Sequence, residues 1–127
     1  MSTSEIALGV VEAQYCNMVK KLTKTGVAIS EHLSVHQIEQ WHMATGLAGE
    51  AGEVLDLIKK SVIYQKSLDI DKLIKEMGDV EYYMEGLRQS LGIGRQEVLT
   101  ANMEKLADRY KGFEYSDEQA IAQRDMD

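Results

Sequence analysis

Four carboxylates in this chain fall into two pairs of identical spacing. Glu50 and Glu53 lie in GEAGEVLDLIKK (residues 49–60), and Glu76 and Asp79 lie in KEMGDVEYYM (residues 75–84). Residues three apart share one face of a helix, so each pair aims two acids the same way. Both pairs are set among residues fit for a core, such as Leu47, Val54 and Leu57, and burying an unpaired carboxylate is costly. A partner of opposite charge is implied. Hard divalent cations take oxygen ligands, and Mg²⁺ in particular combines a few carboxylates with water and substrate phosphates. The competing reading is a solvated acidic face, because E-x-x-E on a single helix is common. The second copy is what weighs against it.

The two segments align without gaps at a shift of 26 residues, LAGEAGEVLDLI from Leu47 onto LIKEMGDVEYYM from Leu73. At about 100° per residue from Leu47, Val54 falls near 340°, Leu57 near 280°, Glu50 near 300° and Glu53 near 240°. Glu50 therefore sits within the apolar stripe and Glu53 at its edge. Glu76 and Asp79 take the matching places beside Val80 and Tyr83. Four carboxylates border the faces by which two helices would pack, and they would repel strongly unless a cation countered them.

The elements that carry them read as helices. The chain has no proline and few β-branched runs. The first helix is expected over about residues 4–24, closed by the break TKTG (residues 23–26). Ser34-Val35-His36-Gln37 has the form of a capping box and predicts a long helix from there to about residue 64 or 65. Gly46, Gly49 and Gly52 fall inside it at about 0.5–1 kcal/mol each relative to alanine, which predicts close approach of a neighbour or a kink. Asp69 is a cap for a helix over about residues 70–91, with Gly92 as its terminator. A further helix is expected over about 93–110, and a short last one after a second S-x-x-Q box at Ser116. The expectation is an all-α, four- to five-helix bundle in a single domain, 1–127, with its core at about 34–115.

Composition narrows the function. A formal net charge of −7 argues against a general nucleic-acid binder. No run reaches the ~18 apolar residues of a membrane span, and MSTSEIALGV lacks a signal-peptide pattern, so a cytoplasmic protein is expected. The single Cys16 excludes an internal disulfide and reads as a small core residue.

GLAGEAGEVLDLIKK followed by KEMGDVEYYM resembles the E-x-x-E … E-x-x-D signature of the MazG-type all-α nucleoside triphosphate pyrophosphohydrolases, in their short phage- and integron-type form. The 22 residues between Glu53 and Glu76 suit that family. LGIGRQEVLTANMEKLADRYKGF (residues 91–113) is similar to the family's closing segment, with Asn102, Lys105, Arg109 and Tyr110 matching N-x-x-K-x-x-x-R-Y. Lys111 stands where a proline often follows. The resemblance implies hydrolysis of an NTP or dNTP between the α and β phosphates, to monophosphate and pyrophosphate, in nucleotide-pool house-cleaning. It implies Mg²⁺, with Mn²⁺ as a substitute, held by Glu50, Glu53, Glu76 and Asp79, one of which would instead activate water. It implies a homo-dimer or homo-tetramer, with no nucleic-acid or membrane partner. Lys105 and Arg109, four apart, share a face with Asn102 that would grip the triphosphate together with Tyr110. Lys60 is expected beside Glu53, in reach of that carboxylate or of a phosphate.

Two rival readings have their own residues. Ferritin-like di-metal bundles use E-x-x-H, and Glu39-Gln40-Trp41-His42 supplies one copy where two are needed. His32 and His36, four apart, lack a supporting ligand cluster. A non-catalytic helical dimerisation module would account for seven methionines as packing surface, but gives no reason for paired acids on a packing face. Trp41, Tyr82, Tyr83 and Tyr115 read as core more readily than as base-stacking groups.

Overall fold

The computed structural model describes residues 2–124, and these are all-α. The order is α1 (Thr3–Leu22), α2 (Gly26–Ser30), α3 (Val35–Ile63), α4 (Ile70–Leu91), α5 (Arg95–Arg109), a 3-10 turn (Lys111–Phe113) and α6 (Asp117–Arg124). Contacts gather the chain into two compact units, Met1–Ser34 and Val35–Asp127.

In the first unit, α1 begins at a capping box that the sequence reading passed over. The Ser2 hydroxyl accepts from the Glu5 backbone N–H at 3.2 Å, and the Glu5 carboxylate accepts from the Ser2 N–H. The Ser2 N–H, ahead of the Ser2 hydroxyl, holds the Glu5 carboxyl below its ordinary range. The TKTG break holds a helix start as well as a stop. Thr25 Oγ1 accepts from the Ala28 N–H at 3.1 Å and caps the short α2. Cys16 is exposed, contrary to the core role expected for it, because no described residue of α1 is buried.

The second unit is built on an αα-hairpin. Helix α3 runs 29 residues without interruption at its glycines, and α4 returns along it. The pairing is antiparallel: Met43 meets Gly86, and Gly46 meets Tyr83. At those two glycines a knob from one helix fills the space a Cβ would take on the other. Gly49 and Gly52 meet nothing within 4 Å, so the close approach expected at three glycines occurs at one of them. Leu47, Val54 and Leu57 of α3 and Leu73, Val80, Tyr83 and Met84 of α4 are half-buried along the seam.

Helix α4 matches its sequence signals at both ends. Asp69 Oδ1 accepts from the Lys72 N–H at 3.0 Å, and Gly92 ends the helix in the left-handed region at φ 65°. Asp69→Ala is expected to cost about 1 kcal/mol, read as a lower urea midpoint at unchanged slope. Helix α5 packs on the 3-10 turn and on α6. At α6, Ser116 Oγ accepts from the Gln119 N–H at 3.1 Å, but Gln119 Oε1 is buried without a hydrogen-bond partner. The second S-x-x-Q box is thus only half formed.

Among the described residues no hydrophobic side chain is buried, and Arg88, at 7% exposure, is the single residue that is. Its guanidinium donates through Nε and Nη2 to Glu85 Oε2, and Gln89 donates to Oε1 of the same carboxylate. The Arg88 hydrogen bond, ahead of that from Gln89, holds Glu85 below the ordinary carboxylate range. Trp41, Tyr82 and Tyr115 are exposed, so these aromatics are not the core residues they read as; Tyr83 is half-buried.

Candidate metal centre

The hairpin register decides which acids meet. Glu50 lies one turn beyond Gly46 on α3, and Asp79 one turn before Tyr83 on α4, so the Gly46–Tyr83 contact pins both. Glu50, Glu76 and Asp79 each bring a carboxylate oxygen to within 4.8 Å of the other two. Glu50 and Glu76 are half-buried and Asp79 is exposed, which leaves the group open to solvent on one side. No other group of three or more His, Cys, Asp or Glu side chains is gathered this way among the described residues.

Partial burial raises the Glu50 carboxyl above its usual value, helped by the charges of Asp79, Glu76 and Glu53 and a hydrogen bond shared with Glu76. Acids crowded this way repel one another, and three convergent oxygen donors suit a hard divalent ion better than a soft one. The sign for stability follows from linkage. A raised carboxyl means the folded chain binds more protons than the unfolded one, so metal-free stability falls as pH rises above the ordinary value of 4.5. Mg²⁺ is expected to raise the thermal midpoint more at about pH 7 than at about pH 5, and Glu50→Gln to flatten that difference. Scanning fluorimetry checks it.

The remaining expected site residues are distributed as follows. Glu53, exposed, stands outside the trio, though Glu50 and Lys60 both feel its charge. Lys60 Nζ bonds Asp56 Oδ2 at 2.7 Å, a partner the sequence reading did not name although it sits at the ordinary i−4 spacing. Asn102 and Lys105 are exposed on α5, and Arg109 is half-buried with its Nε enclosed. Tyr110, the C-cap of α5, stacks obliquely on Tyr115 at 5.6 Å. The packing of α5 is on the 3-10 turn and α6, so within one chain it does not lie along the acidic hairpin. Of the histidines, His36 approaches Glu39 at 3.7 Å and His42 sets its ring edge against Tyr83 at 6.4 Å. Glu39 is thereby turned to His36, and the E-x-x-H pair does not converge with other ligands.

An apolar cleft of about 400 Å³ lies between Ala51, Val54, Met77, Gly78, Val80 and Glu81. On the helical wheels Ala51 and Met77 fall at about 40°, on the opposite flank of the seam from the acids. No described helix is long and apolar enough to cross a membrane.

Residues 39–113 match the MazG nucleotide pyrophosphohydrolase domain. The chain is also similar to the Gene 37 protein of Mycobacterium phage L5, 35% identical over 74 residues that are 54% of this chain and 63% of that protein. It therefore spans less than two thirds of that relative's length. No solved structure matches. With the acidic trio inside the matched segment, and that segment more than half of the chain, the protein belongs to the MazG nucleotide pyrophosphohydrolase family.

Proposed function

We propose that this chain hydrolyses nucleoside or deoxynucleoside triphosphates between the α and β phosphates, giving monophosphate and pyrophosphate. The observation that carries the reading is the cross-hairpin trio of Glu50, Glu76 and Asp79 inside a MazG domain. These residues would hold Mg²⁺, with Mn²⁺ as a substitute, and Glu53 would complete the set or hold the attacking water. A divalent ion held by these residues would supply positive charge against the phosphates, the Lewis-acid chemistry that this hydrolysis needs. Lys60, Lys105 and Arg109 supply the cations for the polyphosphate, Arg109 through its planar fork and the lysines as point charges. Asn102 and Tyr110 flank that face of α5. A panel of NTPs and dNTPs with Mg²⁺, assayed for pyrophosphate release, tests the reading; orthophosphate as the first product would reject it.

The same reading includes self-association, in the cytoplasm and without nucleic acid or membrane. A two-helix hairpin with no buried hydrophobic side chain lacks the second layer that stabilises such elements, and a second hairpin over the apolar cleft would make a four-helix bundle. It would also let α5 of one copy serve the acids of another. Light scattering is expected to give a mass at least twice 14.3 kDa, and Met77→Asp to reduce both mass and helix content. A stable, fully helical monomer would contradict this.

A further inference from the structure

Lys60 lies two turns beyond Glu53 on α3, and its ammonium is held by Asp56 at 2.7 Å. As an isolated, half-exposed pair this would add little to stability. Its surroundings give it another consequence. The Asp56 carboxylate also feels Lys59 and, from the first turn of α4, Lys72. Lys72 sits one turn before Glu76, and the Lys60 ammonium feels Glu53. Moving from the acidic trio toward the α3–α4 connection, the same side of the hairpin thus passes from carboxylates to a cationic frame drawn from both helices.

That order matches what a triphosphate requires. With the α phosphate at the trio, the β and γ phosphates leave an excess of negative charge that neither the acids nor a divalent ion removes. A lysine on a four-carbon stem is a poor receptor unless something limits its rotamers, and ordering it on binding would weaken affinity. One bond to a carboxylate leaves two N–H donors of an ammonium to point outward. Resting on the pyrophosphohydrolase reading, we propose that Asp56 is a positioning residue: it holds Lys60, with Lys72 opposite, so that the hairpin receives the leaving pyrophosphate at its connection end.

The test compares wild type, Asp56→Asn, Asp56→Glu, Lys60→Met and the double variant. It uses steady-state kinetics and calorimetric titration with Mg²⁺-pyrophosphate. Asp56→Asn is expected to raise KM and weaken pyrophosphate binding about 3- to 10-fold with kcat within about twofold, the pattern of lost binding rather than lost chemistry. Asp56→Glu should recover most of the loss. Lys60→Met should weaken binding at least as much, and adding Asp56→Asn to it should change nothing further, since the aspartate acts through the lysine. Wild-type pyrophosphate affinity in Asp56→Asn would overturn the proposal, as would an equal loss in the Lys60→Met background. If no nucleotide releases pyrophosphate, the activity reading fails, while the titration still decides the role of Asp56.

Discussion

Glu76→Gln is expected to abolish Mg²⁺-dependent pyrophosphate release while making the metal-free chain more stable. The carboxylate of Glu76 is half-buried between Glu50 and Asp79, close enough to share a hydrogen bond with Glu50. The amide keeps the shape and removes the charge. A site that acts by fixed electrostatics should lose at least about 10²-fold in kcat when one of its charged groups is neutralised. The repulsion that raises the Glu50 carboxyl is relieved by the same change, so the thermal midpoint without metal should rise by a few degrees. The opposing signs make the test sharp. A purely structural acid would lose stability and activity together, and a solvated surface acid would change neither. Mg²⁺ should no longer stabilise the variant as it does wild type.

Gly46→Ala is the substitution from which we expect the largest loss of fold. A Cβ at Gly46 would land in the ring of Tyr83, which is held in turn by edge contacts from His42 and Tyr82, at 6.4 and 5.1 Å. Displacing that half-buried ring would disturb the seam it fills, so α3 and α4 are expected to separate. Overpacking of this kind costs about 1–3 kcal/mol, which exceeds the gain of up to about 1 kcal/mol from replacing a helical glycine. Gly86→Ala is the control. Its Cβ would meet the Met43 sulfur at 2.5 Å, the far end of a flexible side chain that can rotate out. Urea unfolding should show Gly46→Ala clearly destabilised and Gly86→Ala close to wild type. Because Glu50 and Asp79 each lie one turn from the clash, Gly46→Ala should also spread the trio and lower Mg²⁺ affinity.

What the sequence made legible follows the range of each signal. The ends of α4 were readable because Asp69 and Gly92 act on neighbours within one turn. The duplicated acids were readable because helical period fixes which side chains share a face. That Asp79 rather than Glu53 completes the trio was not, since both lie at the edges of their stripes and the choice turns on how α3 and α4 pack across the Gly46–Tyr83 contact, 37 positions apart. Of the three glycines, Gly46 at about 260° on the helical wheel lies beside Leu57, whereas Gly49 and Gly52 at about 200° and 140° turn away from the seam. Trp41, Tyr82 and Cys16 read as core because apolar residues usually are; here the described chain buries no hydrophobic side chain, and all three are exposed. The capping box at Ser2 was available to reading and was missed. The half-formed box at Ser116 shows the reverse case, where a correct motif stops short of its second hydrogen bond.

The most direct measurement is phosphorus NMR of a deoxynucleoside triphosphate incubated with the protein, with and without Mg²⁺. Resonances of the monophosphate and of pyrophosphate are expected to grow together, only with the metal, and to be absent with Glu76→Gln. Growth of nucleoside diphosphate and orthophosphate, or turnover that survives in Glu76→Gln, would contradict the account.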